Sequence, residues 1–189
     1  YRSYKGEVRK VAPNILKRDF NTTAPNQKWT TDITEFALFG TKLYLSPILD
    51  MYNGEIISYE ISDRPVLGQV LRMLDNAFAK IPDNTNLIFH SDQGWQYQHK
   101  TYQKRLIDKG IRQSMSRKGN CLDNSIMENF FGLLKSELLY LREFDSMEEF
   151  RAELERYIDY YNNKGVLQEV DGTKDMQEVF DAIVAVLEA

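Results

Sequence analysis

The apolar residues of this chain are spaced first as in strands and later as in helices. Residues 28–38 and 43–51 are rich in the β-branched and aromatic side chains that favour strands. Asn53-Gly54 is a strong signal for a two-residue hairpin, and residues 55–61 would form the returning strand. This part of the chain therefore predicts three successive antiparallel strands.

Helices alternate with short strands in the rest of the chain. Apolar residues recur at helical spacing over residues 66–81, and a short apolar run of the kind buried in a sheet follows at 87–89. A helix at 99–108 and an edge strand at 112–115 come next. Two helices follow, one at 126–141 and one that begins at Ser146. This order predicts an α/β fold: a mixed five-stranded sheet, in which three antiparallel strands precede parallel crossovers, with helices on both faces.

Size and composition exclude several classes of protein. The chain has 189 residues, of which 42% are hydrophobic and 12% aromatic, and this favours one ordinary domain over a disordered chain. No apolar run approaches the roughly 20 residues that span a bilayer, and the first residues do not resemble a secretory signal. The single Cys121 excludes an internal disulfide framework and a four-Cys zinc site. We therefore expect a cytoplasmic protein without a membrane partner and, since Met is absent at residue 1, a fragment or processed product.

The charge is distributed unevenly and suggests three segments. The net charge is −4, but residues 165–189 hold six acids and one base, which leaves 23 bases and 22 acids in residues 1–164. Within that body, bases cluster in residues 1–20 and 100–118. Such clusters either bind phosphates or form an ordinary solvated surface. We predict a basic arm or linker at 1–24, a compact catalytic core at 25–164 and an acidic tail with a short helix at 165–189.

Three acidic residues are candidates for metal binding. Asp32 lies in the first strand-like run, Asp92 follows the apolar run 87–89, and Glu128 lies early in a helical pattern. Carboxylate oxygens are the ligands that Mg²⁺ prefers, and two such ions can clamp an in-line displacement at a phosphate. If the strand, the strand end and the helix converge, these side chains form a metal site for nucleic-acid strand chemistry.

Each of these acids also has a purely structural explanation. Asp32 fits an exposed position on an edge strand, and Asp92 fits a turn because it precedes Gly94. Glu128 fits a capping box that begins at Ser125. The three acids must therefore be considered together with the residues around them.

Those surrounding residues resemble the catalytic core of DDE transposases of bacterial insertion sequences, the group closest to retroviral integrases. The resemblance covers about residues 1–164. The matching segments are 25–34, 90–94, 123–131, 134–137 and 160–162.

This resemblance implies a ribonuclease H-like fold and a transposase or integrase activity on DNA. It also implies that Asp32, Asp92 and Glu128 are the catalytic residues and hold two Mg²⁺ or Mn²⁺ ions. Water would be the first nucleophile and would free a 3′-hydroxyl at the element end, and that hydroxyl would then attack a phosphodiester in target DNA. The implied partners are the element ends, the target DNA and further copies of the chain in a homo-oligomer.

Four polar residues near the acids are predicted to contact DNA or support the site. Lys135 lies seven residues after Glu128 and shares its side of the helix, although it also fits an ordinary solvated lysine. Arg117 and Lys118 flank a glycine-containing loop before the same helix, where they would meet a phosphate backbone. Asn124 is expected at the start of the helix, beside the site.

Other polar residues are weaker candidates. Glu137 is the nearest rival to Glu128, but it lies farther into the helix and lacks the matching context. His90 and His99 have no neighbouring Cys residues, so we do not expect a zinc site.

Residues 165–189 depart from the family pattern. Segments 170–172 and 178–180 look like part of the last segment of adenylate kinases, but no kinase activity is expected because a Gly-rich phosphate loop is absent from the sequence. The tail leaves two alternatives to an active transposase core open. One is a catalytically silent remnant that binds DNA or dimerises, and the other is a ribonuclease H-like nuclease that only hydrolyses.

Overall fold

Six strands form a single mixed sheet in the computed structural model of the protein, which describes residues 11–164. The predicted acidic tail and the first ten residues lie outside the described residues. The strands are β1 (Lys28–Thr31), β2 (Thr34–Leu38), β3 (Thr41–Asp50), β4 (Ile56–Ser62), β5 (Ile88–Ser91) and β6 (Arg112–Met115).

Four α-helices accompany the sheet in this part of the chain. They are α1 (Leu67–Phe78), α2 (Lys100–Lys109), α3 (Ser125–Leu134) and α4 (Met147–Lys164). A short 3₁₀ turn, Cys121–Asn124, precedes α3, and a π-helical turn, Lys135–Leu139, follows it. No helix between residues 11 and 164 is both long and apolar enough to cross a membrane.

The sheet combines antiparallel and parallel pairs in the predicted order. β3 is antiparallel to β1 and β2 along one edge and to β4 along the other. β1, β5 and β6 are adjacent and parallel. Because the chain crosses over through α1 before β5 and through α2 before β6, the predicted mixed sheet is confirmed.

The first predicted strand, residues 28–38, is interrupted, so the sheet has six strands rather than five. The break falls at Asp32 and Ile33, although the pairing with β3 keeps the same register on both sides of it. That register places Asp32 opposite Pro47, which has no N–H to donate. In addition, the Asp32 carboxylate accepts a hydrogen bond from the Ile33 N–H at 2.7 Å. The ladder is therefore broken, and β1 and β2 follow one line as two short strands.

The hairpin after β3 is wider than the predicted two-residue turn. The Gly54 N–H donates to the Asp50 carbonyl, and the Asp50 N–H donates to the Glu55 carbonyl, both at 2.9 Å. The connection therefore spans residues 51–55. Gly54 has φ of 70°, and the Asp50 carboxylate accepts the N–H of Tyr52 inside the turn, which stabilises the wider form.

Two hydrophobic clusters cover the two faces of the sheet. The first contains Trp29 and Phe89 from the sheet and Met73 from α1, and all three are buried. The second contains buried residues of β2 and β3 packed against α3 and α4, among them Phe36, Leu45, Phe130 and Leu154. The predicted placement of helices on both faces is therefore confirmed.

Residues 12–16, part of the segment that we predicted as a basic arm or linker, pack along β6. The N–H groups of Ile15 and Leu16 both donate to the Ser114 hydroxyl at 3.2 Å, and the Met115 N–H donates to the Pro13 carbonyl at 3.4 Å. Leu16 is buried. The sequence pattern did not predict this contact with the sheet edge.

Two glycine-to-alanine substitutions should have opposite effects on stability. Gly110 ends α2 with φ of 76°, and a Cβ there would lie 2.7 Å from the Cα of Asn84. We expect Gly110→Ala to lower the free energy of unfolding by about 2–4 kcal/mol, because left-handed backbone and backbone overlap each cost roughly 1–2 kcal/mol or more. Gly132 lies inside α3 with open space around it. Gly132→Ala should therefore raise the free energy of unfolding by roughly 0.5–1 kcal/mol, because alanine favours a helix more than glycine does.

Urea unfolding of the two variants and the wild type measures both effects. Equal stabilities, or a stabilising Gly110→Ala, would contradict the described packing of Asn84 against the end of α2.

Candidate active site

A cavity of about 500 Å³ lies at the carboxyl ends of the three parallel strands, beside the start of α3. Ligand sites of α/β sheets commonly lie at this edge. The cavity is lined by six of the seven residues singled out in the sequence: Asp32, Asp92, Glu128, Arg117, Lys118 and Asn124. The seventh, Lys135, is half-buried at the end of α3 and does not line it.

The pairing of β1 with β5 sets the positions of the two aspartates. Thr31 and Ser91 are register partners at the ends of these parallel strands, and Asp32 and Asp92 come directly after them. Both aspartates therefore leave the sheet at the same edge. Glu128 comes from the first turn of α3, which contacts β1 on the other side of the cavity.

Backbone groups orient both aspartates. One oxygen of Asp32 accepts the Ile33 N–H at 2.7 Å, and one oxygen of Asp92 accepts the Gly94 N–H at 2.8 Å. A Cβ at residue 94 would lie 2.9 Å from that Asp92 oxygen, so glycine allows the close approach. The second oxygen of each aspartate accepts no hydrogen bond from residues 11–164.

The three carboxylates form no ion pair with any residue that the structure describes. Glu128 is exposed and also makes no hydrogen bond there. Burial first, and then the charges of Asp92 and Glu128, raise the pKa of Asp32 to about 7. Burial likewise raises the pKa of Asp92. The cavity therefore holds three carboxylates that are not directly paired with a cation of the described part.

A divalent cation fits this donor set, although the carboxylates do not form a complete ligand shell. Within residues 11–164, no three His, Cys, Asp or Glu side chains are grouped closely enough to surround one ion. Mg²⁺ usually keeps several waters and is bound through one or two carboxylates and substrate phosphates, so it does not need a shell made only of protein. The unpaired oxygens of Asp32 and Asp92 supply such ligands at one edge of the sheet.

Arg117 and Lys118 form the basic wall of the cavity. Asp123 organises this wall, although the sequence did not predict a role for it. Its side chain is fully buried and pairs with the Arg117 guanidinium, whose Nε and Nη2 donate at 3.0 and 2.9 Å. Arg18 Nε donates to it at 2.8 Å, and Asn14 Nδ2 at 2.9 Å. These hydrogen bonds hold the pKa of Asp123 well below its usual range. The group of Asp123, Arg117 and Arg18 keeps a net charge of +1.

Arg117 therefore has a structural partner as well as a place on the cavity. Its side chain remains 58% exposed, and its Nη1 makes no hydrogen bond within the described residues. Lys118 is exposed and forms no ion pair with the described part of the chain. Both cations remain free to meet an anion in the cavity.

Asn124 is buried at the start of α3 and linked to β1. The Thr30 hydroxyl donates to Asn124 Oδ1 at 2.7 Å, whereas Asn124 Nδ2 is buried without an acceptor in the described residues. A buried N–H donor without an acceptor is costly. Because Asn124 lines the cavity, its Nδ2 is a candidate donor to a bound ligand.

Glu137 and His90 do not line the cavity, and both have structural partners. Glu137 accepts a hydrogen bond from the Tyr157 hydroxyl at 2.6 Å. His90 is buried between the hydroxyls of Ser114 and Ser116, at 2.8 and 3.1 Å, and burial lowers its pKa to about 4.

Comparison with known proteins identifies related sequences. Two models of the integrase core domain match residues 22–121 and 128–172. The chain is 54% identical over 172 residues to the InsK protein of insertion sequence element IS150 from Escherichia coli, covering 91% of this chain and 61% of that protein. It is 51% identical over 172 residues to a transposase-like protein of Haemophilus influenzae, covering 91% of this chain and 79% of that protein.

A solved structure with the same fold is the HTLV-2 integrase catalytic core domain in complex with magnesium. The TM-score is 0.53 at 17% sequence identity, over 78% of this chain and 90% of that one. The implied ribonuclease H-like fold is thus confirmed. The family matches begin three residues before the predicted core and extend eight residues past its predicted end, and the exact boundaries stay predictions.

Asp32→Asn should stabilise the metal-free protein, and the gain should grow as the pH rises from about 4 to about 7. Folded Asp32 keeps its proton up to about pH 7, whereas an unfolded aspartate releases it near pH 4. The wild type therefore loses stability across this interval, because it must bury a charged carboxylate. At pH 7 we expect the melting temperature of the variant to exceed that of the wild type by roughly 2–4 °C.

Melting temperatures in EDTA across this pH range test the prediction. His90, with a pKa of about 4, changes stability in the opposite direction over the same interval. It is present in both proteins, so the difference between them isolates Asp32. A difference that does not change with pH would contradict the raised pKa of Asp32.

Proposed function

The chain belongs to the integrase core domain family, and we propose that it is the catalytic core of an insertion-sequence transposase, which cleaves DNA strands and joins 3′-hydroxyl ends to target phosphates. One observation carries this proposal. Three carboxylates from separate elements line one cavity without an ion pair among the described residues, and two bases line the same cavity, one of them already paired with a buried acid. Because the chain spans 61% of the length of the InsK protein, activity of the whole protein is part of the proposal.

We propose Asp32, Asp92 and Glu128 as the ligands of two Mg²⁺ or Mn²⁺ ions. When bound, such ions activate a nucleophile and stabilise the leaving oxygen of an in-line displacement. The Ile33 and Gly94 amides each hold one carboxylate oxygen of an aspartate, and the second oxygen of each aspartate is left available to a metal ion. Glu128, on the exposed face of α3, is the most exposed of the three and is proposed to complete the set when DNA is present.

The basic wall is proposed to hold the scissile phosphate. Asp123 orients the Arg117 guanidinium through two hydrogen bonds and leaves Nη1 for a phosphate oxygen. Asn124 Nδ2 offers a neutral donor on the same cavity, and Thr30 fixes the orientation of this amide. Lys118 adds a mobile positive charge at the rim, whereas Lys135 would meet DNA farther from the reacting phosphate.

The proposed partners are the element ends, target DNA and further copies of the chain. Two DNA molecules must meet at one reaction centre during strand transfer, which favours more than one core in the active complex. The HTLV-2 integrase core was solved in a trimeric form, which supports this expectation for the fold.

A catalytically silent core that binds DNA is the second candidate. It is favoured by the incomplete ligand shell among the described residues. Titration calorimetry with Mn²⁺ separates the two candidates. Binding by the wild type that is lost in Asp92→Asn supports the catalytic core, and no binding by either protein, with or without a DNA duplex, supports the silent one.

Glu128→Gln should abolish strand transfer, whereas Glu137→Gln should not. Both substitutions remove one charge from the same helical segment, but only Glu128 lines the cavity. We expect a loss of at least about 100-fold for Glu128→Gln, since a removed charge-stabilising group typically costs this much. Glu137→Gln should stay within about threefold of the wild type, because the amide can still bond to Tyr157.

The assay uses a donor duplex with a pre-cut 3′ end, a target plasmid and Mn²⁺ or Mg²⁺. If the wild type gives hydrolysis products only, the hydrolytic nuclease is correct and the transferase proposal fails. Equal losses in the two variants would remove Glu128 from the catalytic set.

Lys118→Gln should weaken the salt dependence of DNA binding more than Lys104→Gln does. Lys118 has no ion pair in residues 11–164, while Lys104 pairs with Asp108 at 2.9 Å. Each phosphate contact adds about 0.9 to the slope of log K against log salt, so Lys118→Gln should reduce that slope by about 0.9. Fluorescence anisotropy with a labelled duplex at several salt concentrations measures this, and identical slopes for the two variants would exclude a phosphate contact at Lys118.

A further inference from the structure

The turn formed by residues 14–18, before the first strand, reaches the wall of the cavity. Lys17 and Arg18 both have left-handed backbone, with φ of 52° and 63°. Residues other than glycine rarely adopt this conformation, and two in succession require compensating contacts. The compensating contacts involve Asn14, whose Oδ1 accepts the Lys17 N–H at 2.8 Å while its Nδ2 donates to Asp123 at 2.9 Å.

This backbone directs the Arg18 side chain at two acceptors. Arg18 Nε donates to Asp123 at 2.8 Å, and Arg18 Nη2 donates to Asn120 Oδ1 at 2.7 Å. These residues are more than 100 positions apart in the chain, at separations of 105 and 102. A single guanidinium therefore joins the turn to both ends of the segment 120–123.

The loop that receives these contacts is tied mainly to Asp123, which accepts the Arg117 N–H at 2.9 Å and donates its own N–H to the Asn120 carbonyl at 3.2 Å. Residues 117–120 line the cavity, and Gly119 has φ of 70° with nothing near its Cβ position. Inside the loop, the Asn120 N–H donates to the Arg117 carbonyl at 3.2 Å. Arg117 and Lys118 are exposed. The position of the loop therefore depends mainly on the group around Asp123.

We propose that Arg18 is a positioning residue of the active site, which holds residues 117–120 against the cavity through Asp123 and Asn120. The turn 14–18 is then part of the site. The catalytic consequence rests on the proposed function, but the effect on the loop does not.

Charge gives Arg18 a second effect on the same wall. With Arg18 present, Asp123 is shared by two guanidinium groups, and the group carries one surplus positive charge. Without it, Arg117 alone must neutralise the buried carboxylate, so the wall loses its surplus charge for a phosphate. The loss should therefore affect both loop order and DNA affinity.

Arg18→Gln is the test variant, and Lys17→Gln is its matched control. Both remove one positive charge from the same turn, but the Lys17 side chain is exposed and makes no hydrogen bond or ion pair within the described residues. Hydrogen–deuterium exchange of the full chain, followed in the peptide that contains residues 117–120, reports local opening of the loop. We expect exchange to accelerate about tenfold in Arg18→Gln and to stay within about twofold of the wild type in Lys17→Gln.

Arg18→Lys separates the effect of the two hydrogen bonds of Arg18 from the effect of its positive charge. Lysine keeps the charge but lacks the planar fork that bridges two acceptors, so exchange should lie between that of the wild type and that of Arg18→Gln. Strand transfer should follow the same order, with Mn²⁺ affinity unchanged because Asp32 and Asp92 are untouched. Gly110→Ala, which lowers global stability from the other end of β6, controls for general unfolding.

Equal loop exchange in Arg18→Gln and Lys17→Gln would overturn the inference, as would equal acceleration in Gly110→Ala. If the wild type transfers no strands while Arg18→Gln still loosens the loop, the proposed function fails and the positioning role of Arg18 stands.

Discussion

The parallel pairing of β1 with β5 is the contact on which the rest of the site depends. Trp29 and Phe89 are register partners in this pair, and their rings meet edge to face with centroids 6.1 Å apart in the core. Side chains alternate between the two faces of a strand, so a shift of one residue would move Trp29 out of the core. The same register brings the strand ends together at Thr31 and Ser91, directly before the two aspartates. The apolar core thus fixes the spacing of the two aspartates at the edge of the sheet.

The cavity keeps its acids and its bases apart. Arg117 lies on the same cavity as three carboxylates, yet its guanidinium pairs with Asp123, which is buried behind the wall. Asp32 forms no ion pair within residues 11–164, and burial together with its acidic neighbours raises its pKa to about 7. An arrangement that served stability alone would pair these opposite charges directly. Carboxylates and bases that line one cavity without pairing with each other instead suit a ligand that carries both a cation and an anion, as a metal-bound phosphate does.

Local patterns in the sequence predicted most elements, whereas contacts between distant residues were not predictable. The edge strand 112–115 was located at its observed bounds, because alternation and turn signals are local. The break at Asp32 depends on its partner Pro47, and the role of Asp123 depends on Arg18, 105 residues away. Lys135 shows a limit of helical geometry: it shares a side with Glu128, but seven residues carry it about 10 Å along the axis and away from the cavity. The residues around the three acids predicted that the acids lie at one site. Their role as metal ligands stays a prediction.

An incomplete ligand shell is consistent with a site that is assembled together with its substrate. Asp32 and Asp92 are fixed by the register of the sheet and by backbone amides, while Glu128 is carried by a helix that is tied to β1 through Asn124 and Thr30. Asp123, which pairs with Arg117, is tied to Asn14 and Arg18 in the turn before the first strand. A DNA phosphate between these groups would supply the oxygen ligands that a Mg²⁺ ion lacks and would accept hydrogen bonds from Arg117 and Asn124. In the proposed function, substrate and metal would therefore bind more tightly together than either would alone, because each relieves the unbalanced charge that the other leaves.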